Sequence, residues 1–332
     1  MDTKTSHTID IYRGFLAQYV IIAHLIPALF PGILGMPGTL AVWAFFVTSG
    51  FLNFYSYHRD PSVLSYYKKR IIRLYPLLIL SFVIVALTEG TWRINDIYTL
   101  FPVVFWLEDH MPHNGVLWTI IIELQLYMIT PILALPLLKR NLNKSILVIL
   151  LCLLPIVSIG ISAIVSEIYK GSLHLGERTF FSAIPMYFFG MALAKYHQHN
   201  KDWPKFFHSK MLWISSAMLF IGIVISRNSE AGIWDHLFAE GRFIAFLVTA
   251  GMLVAPTFLT FFSAQGIGVR LGQLTYEIYL FHGLMAYIMS VYIPQASALT
   301  IILFFWVFPV LISFGWDIFS KKIFLFSQGR KT

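Results

Sequence analysis

Arg13 and His24 stand eleven positions apart in the first apolar segment of the chain. At about 100° and 1.5 Å per residue, a helix carries that interval through almost three whole turns and roughly 16 Å, so both side chains leave the same face. A guanidinium at one end of a groove can hold an anion, while an imidazole at the other end can move a proton or act as a nucleophile. Plainer readings stay open: Arg13 as a positive anchor that snorkels to the interface, and His24 as a structural hydrogen-bonding group.

Comparable residues recur downstream. Ser49 and Gly50, within Ala44–Leu52, either let two helices approach closely or line the same groove. Arg70 and Arg73 are three apart, share a helix face and offer forked donors suited to phosphates, although positive charge at a membrane edge also orients a segment. Glu123 lies inside an apolar run with Tyr127 one turn deeper on its face. A carboxylate there needs a partner, and His24, a sugar hydroxyl or a structural ion pair would each serve. In Thr275–His282, an aromatic belt accounts for Tyr276 but not for a second histidine, His282, beside Tyr279. The single cysteine, Cys152, excludes an intrachain disulfide and reads as a packed small hydrophobe, so no metal site is expected.

These residues need elements to position them, and composition places those elements in a bilayer. Hydrophobic residues make up 58% of the chain and charged residues 12%, against about 25% charged in soluble domains. Runs of about 20 apolar residues, enough to cross roughly 30 Å of hydrocarbon, predict an all-α polytopic protein. We read ten spans, at about 14–31, 36–57, 71–88, 116–138, 145–168, 179–197, 211–226, 242–262, 275–293 and 298–319. The stretch 97–107 is too short to span and is expected to be interfacial or re-entrant.

With ten spans and both termini cytoplasmic, all but five of the 24 lysines and arginines fall on the cytoplasmic side. The exceptions are Arg93, Lys170, Arg178, Arg227 and Arg242. This segregation follows the positive-inside rule and would be scrambled by adding or losing a span. The net charge of +8 therefore reflects topology and anionic lipid, with no nucleic-acid partner implied. The polar start and the lack of a small-residue cleavage site predict an uncleaved first span. Residues 1–332 read as one membrane domain without a fused extracytoplasmic domain.

Five motifs together resemble acyltransferase family 3, integral membrane O-acyltransferases of surface glycans. They are Asp10, Arg13, Gly14 and His24; the Phe-rich Ser-Gly-Phe stretch within Phe45–Leu52; Arg70, Arg73, Tyr75 and Pro76; Trp118–Tyr127; and Tyr276–His282. They run in the family's order over residues 10–282. Thr119 stands where the family has a serine and keeps the hydroxyl, whereas Arg59 stands where some members carry an acidic residue in the loop before the arginine pair.

The resemblance implies transfer of an acyl group, most often acetyl from acetyl-CoA, to a hydroxyl of a cell-surface polysaccharide or its lipid-linked precursor. The setting implied is a bacterial inner membrane, with no permanently bound cofactor. Arg13, Arg70 and Arg73 would hold the CoA phosphates. His24 would serve as general base or transient acyl acceptor, and Glu123 would orient His24 or bind the sugar. Asp10, Ser49, Trp118, Tyr127, Tyr279 and His282 would shape the site. A transporter or flippase for a glycan or anionic molecule is the competing reading, because buried charges can also line a permeation path. No pair of broken spans related between halves supports it.

Overall fold

The computed structural model describes residues 3–31, 38–90, 100–101, 114–139, 141–168, 179–200 and 265–328. Among these residues there are helices and no strands, as hydrocarbon requires of a chain that must satisfy every backbone amide internally. The helices are α1 (Thr3–Leu29), α2 (Gly38–Arg59), α3 (Val63–Glu89), α4 (Leu117–Lys139), α5 (Lys144–Ile168), α6 (Phe180–Asn200), α7 (Gln265–Gln273), α8 (Thr275–Tyr292), α9 (Ala298–Ile302) and α10 (Phe308–Gln328). A π-helical turn, Leu303–Val307, joins α9 to α10 without leaving helical backbone angles.

Among the described residues, six stretches are long and apolar enough to cross a membrane: Ser6–Leu29, Gly38–Arg59, Val63–Glu89, Leu117–Lys139, Lys144–Val165 and Ala298–Lys321. They coincide with six of the expected spans. The expected spans at 179–197 and 275–293 are helical, as α6 and α8, but are not among those six. Those at 211–226 and 242–262 lie outside the described residues, as does most of 97–107.

Helix α1 begins well before the expected residue 14. Its polar lead-in hides an apolar stripe, with Ile9, Tyr12 and Leu16 at helical spacing and each at most 3% exposed. Asp10 and Arg13 are therefore inside a packed helix rather than on an entry loop. Against this lead-in packs α7, a short helix within the expected 263–274 connection. A Cβ on Gly272 would fall on the backbone of Asp10, so side-chain-free contact sets the distance between the two helices.

The longest packing line runs between α2 and α6. At its centre a Cβ on Gly50 would collide with the Tyr187 carbonyl, and one on Gly190 with the Val47 carbonyl. Reciprocal glycines let the two backbones touch, a familiar solution where no hydrophobic force holds helices together in lipid. Trp43, Phe51, Phe54, Tyr187 and Phe189 fill the space around that contact. Helix α4 lies against both α2 and α6, and α8 against α1, α3 and α10.

Helix α3 is punctuated at both ends. The Ser62 hydroxyl accepts from the Ser65 amide, and Gly90 closes the helix at φ 68°, a left-handed angle glycine adopts without strain. In the turn before it, Lys69 Nζ and Ser65 Oγ donate to Asp60 at 2.7 and 2.6 Å, and these bonds hold its carboxyl down to about 2.

Candidate functional site

Helices α1, α2, α3, α4 and α8 line a cavity whose empty space, open solvent included, is about 720 Å³. Arg13 comes from α1, Ser49 and Asn53 from α2, Arg70 and Arg73 from α3, Thr119, Glu123 and Tyr127 from α4, and Thr275, Tyr276 and Tyr279 from α8. Seven of the eleven residues singled out in the sequence therefore line one cavity. Asp10, Trp118, His24 and His282 are not part of that lining. Trp118 is buried in the core, and Asp10 lies in the electrostatic field of Arg13 and Arg73 at the α1–α7 contact.

Three guanidiniums face one lining carboxylate, Glu123. Arg13 is drawn to Glu123 and Asp10 and repelled by Arg73, and Asp10 and Glu277, both outside the lining, lie in the field of Arg13 and Arg73, so the excess of positive groups is confined to the lining itself. An anionic ligand is the natural complement to such a wall. Arg70 lies over the rings of Tyr66 and Tyr127, at 5.1 and 5.3 Å from their centroids, and its buried Nε makes no hydrogen bond within the protein. Stacking on two aromatic faces fixes the guanidinium plane while leaving donors to spare.

Glu123 accepts from the Tyr127 hydroxyl and from Ser49 Oγ at 3.0 Å. Behind this pair a polar relay crosses four helices. Asn53 Nδ2 donates to Ser49 Oγ at 3.1 Å, Tyr66 donates to Asn53 Oδ1 at 2.6 Å and lies 3.1 Å from Thr130 Oγ1, and Thr130 pairs with the Tyr187 hydroxyl at 2.6 Å. Asn53, Tyr66, Thr130 and Tyr187 were not singled out in the sequence. The signal for the first three was spacing: Ser49/Asn53, Tyr66/Arg70/Arg73 and Glu123/Tyr127/Thr130 each run along one helix face at steps of three or four, whereas Tyr187 carried no such signal.

His24 belongs to a second cluster. Its Nδ1 sits 3.3 Å from Nε2 of His282, which is 1% exposed, while His24 itself is exposed. Tyr279 joins the clusters: it lines the cavity, its hydroxyl accepts from Thr119 at 3.0 Å, and its ring stands edge-on to His282 at 5.2 Å. Arg13 lines the cavity and His24 does not; Tyr279, which lines it, and His282, which touches both Tyr279 and His24, make the polar seam between the two. Glu123 is partnered by Ser49 and Tyr127, and His24 by His282, so the carboxylate does not take the role of orienting His24. Among the described residues, no group of three or more His, Cys, Asp or Glu is placed to hold a metal ion.

A family model described as an acyltransferase domain, that of acyltransferase family 3, matches residues 6–319. No curated protein and no solved structure matches the chain.

Proposed function

The chain belongs to acyltransferase family 3, a membrane acyltransferase by that membership, and from this premise we propose that it moves acetyl from acetyl-CoA to a hydroxyl of a cell-surface polysaccharide or its lipid-linked precursor. The observation that carries the donor assignment is the cavity with three guanidiniums and one carboxylate. CoA brings a diphosphate and a ribose phosphate on one end of a long flexible arm, and forked guanidinium donors suit those groups.

Arg13, Arg70 and Arg73 bind the phosphates, and the pantetheine arm follows the seam past Tyr279 to the histidine pair. His24 takes the proton of the acceptor hydroxyl as that oxygen bonds to the acyl carbon. The carbon–sulfur bond then breaks, and the departing thiolate recovers a proton from the imidazolium. Glu123, braced by Ser49 and Tyr127, holds either acceptor hydroxyls or the carrier arm; Trp118 and Asp10 support the wall from behind. The protein works as a single multi-pass domain in the bacterial inner membrane with both termini cytoplasmic, so the donor enters from the basic side.

The test is thioester use. Membranes carrying the protein and given radiolabelled acetyl-CoA should release CoA and yield labelled glycan. His24→Ala should lower this by about 100-fold or more at an unchanged protein level, the scale of a lost general base. Retained turnover in that variant would remove His24 from the chemistry. A flippase would give neither labelled glycan nor free CoA.

A further inference from the structure

The two histidines meet edge to edge. Their ring planes differ by 16° and their centroids are 5.4 Å apart. That separation is close to the 3.3 Å nitrogen–nitrogen distance plus a ring radius at each end, so Nδ1 of His24 and Nε2 of His282 point at one another rather than the faces stacking. One of these nitrogens must carry a hydrogen and the other a lone pair.

The remaining nitrogen of His282 decides which. Its Nδ1 is buried without a hydrogen-bond partner in the protein, on a side chain that leans back over the preceding turn of α8, the turn that carries the Ile278 and Tyr279 carbonyls. A preceding helical turn offers carbonyl acceptors and no free amide, because its N–H groups are bonded within the helix, so the ring proton belongs on Nδ1 and Nε2 is left with its lone pair. His24 is then the donor of the pair.

We propose that His282 is a positioning residue that fixes His24 as the tautomer protonated on Nδ1, leaving the Nε2 lone pair as the base. The consequence for catalysis rests on the acyl-transfer reading above; the pair itself does not. When Nε2 takes the acceptor's proton, the positive charge on His24 is shared with a neutral imidazole through the Nδ1–H···Nε2 bond, which becomes charge-assisted and shortens. When the thiolate recovers that proton, the pair returns to its starting state. The arrangement does for His24 what a buried carboxylate does for the histidine of a serine hydrolase, without placing a second charge in the bilayer.

The experiment is nitrogen NMR on the full-length protein in lipid bilayers with isotope-labelled histidine, His24 being assigned by the signal lost in His24→Asn. The wild type should show His24 protonated on Nδ1 and a through-bond coupling from that nitrogen to Nε2 of His282. His282→Gln, which keeps an acceptor, should preserve the tautomer; His282→Phe should give a mixture. In the acetyl-CoA assay, kcat should fall about 10- to 100-fold in the Phe variant, with most of it restored in the Gln variant and KM for acetyl-CoA unchanged. An unaltered His24 tautomer in the Phe variant would overturn the proposal. So would absence of the coupling in the wild type, a result that needs no variant to fold. A wild type with the expected tautomer and coupling but no acyl transfer would uphold the pair and sink the acyl-transfer reading instead.

Discussion

Arg70 lies over two aromatic rings, Tyr66 and Tyr127, and those contacts separate it from a residue that merely carries charge. A lysine keeps the charge but loses the planar fork and the stacking. Arg70→Lys should therefore raise KM for acetyl-CoA about 10-fold while kcat changes little, measured by steady-state kinetics on purified protein. Ionisable residues in apolar runs were legible in the sequence, because each is costly there unless it has work to do: Arg13, Arg70, Arg73 and Glu123 all reached the cavity. Neutral polar residues were not. Asn53 and Thr130 are unremarkable in a span until Tyr66 is seen to bond with both, and that takes the register of three helices. The pairing of His24 with His282 was equally hidden, since the two are 258 positions apart.

At the level of helices, the α2–α6 line is the contact with the least tolerance. A methyl on Gly190 has no flexible side chain to displace, only the Val47 backbone. Gly190→Ala and Gly50→Ala should each cost about 1–3 kcal/mol, read as a lower thermal unfolding midpoint in detergent. Together they should cost less than the sum, because separating the helices for one methyl makes room for the other. The Ser49–Gly50 pair raised two readings in the sequence, packing and groove lining, and the fold divides them between adjacent residues: Gly50 makes the contact and Ser49 faces the cavity. The early start of α1 and the existence of α7 were missed for one reason. Their apolar residues are too few to register as membrane runs, although Ile9 and Tyr12 are wholly buried.

For the whole molecule, the segregation of basic residues makes a vectorial prediction. Inside-out vesicles should consume external acetyl-CoA and sealed right-side-out vesicles should not; equal use by both would refute entry from the basic face. Arg270 and Lys321 share one carboxylate, Asp317, which ties α7 to α10. The six long apolar stretches were legible because hydrocarbon thickness dictates their length. The π-helical turn between α9 and α10 was not, since nothing in Leu303–Val307 distinguishes it from ordinary helix. The backbone contact at Gly50 also decides where the molecule can breathe. With α2 clamped to α6 like a workpiece in a vice, the wall holding Ser49 and Asn53 has little slack, and any widening of the cavity falls to the helices that share its lining without that clamp, among them α1, α3 and α8.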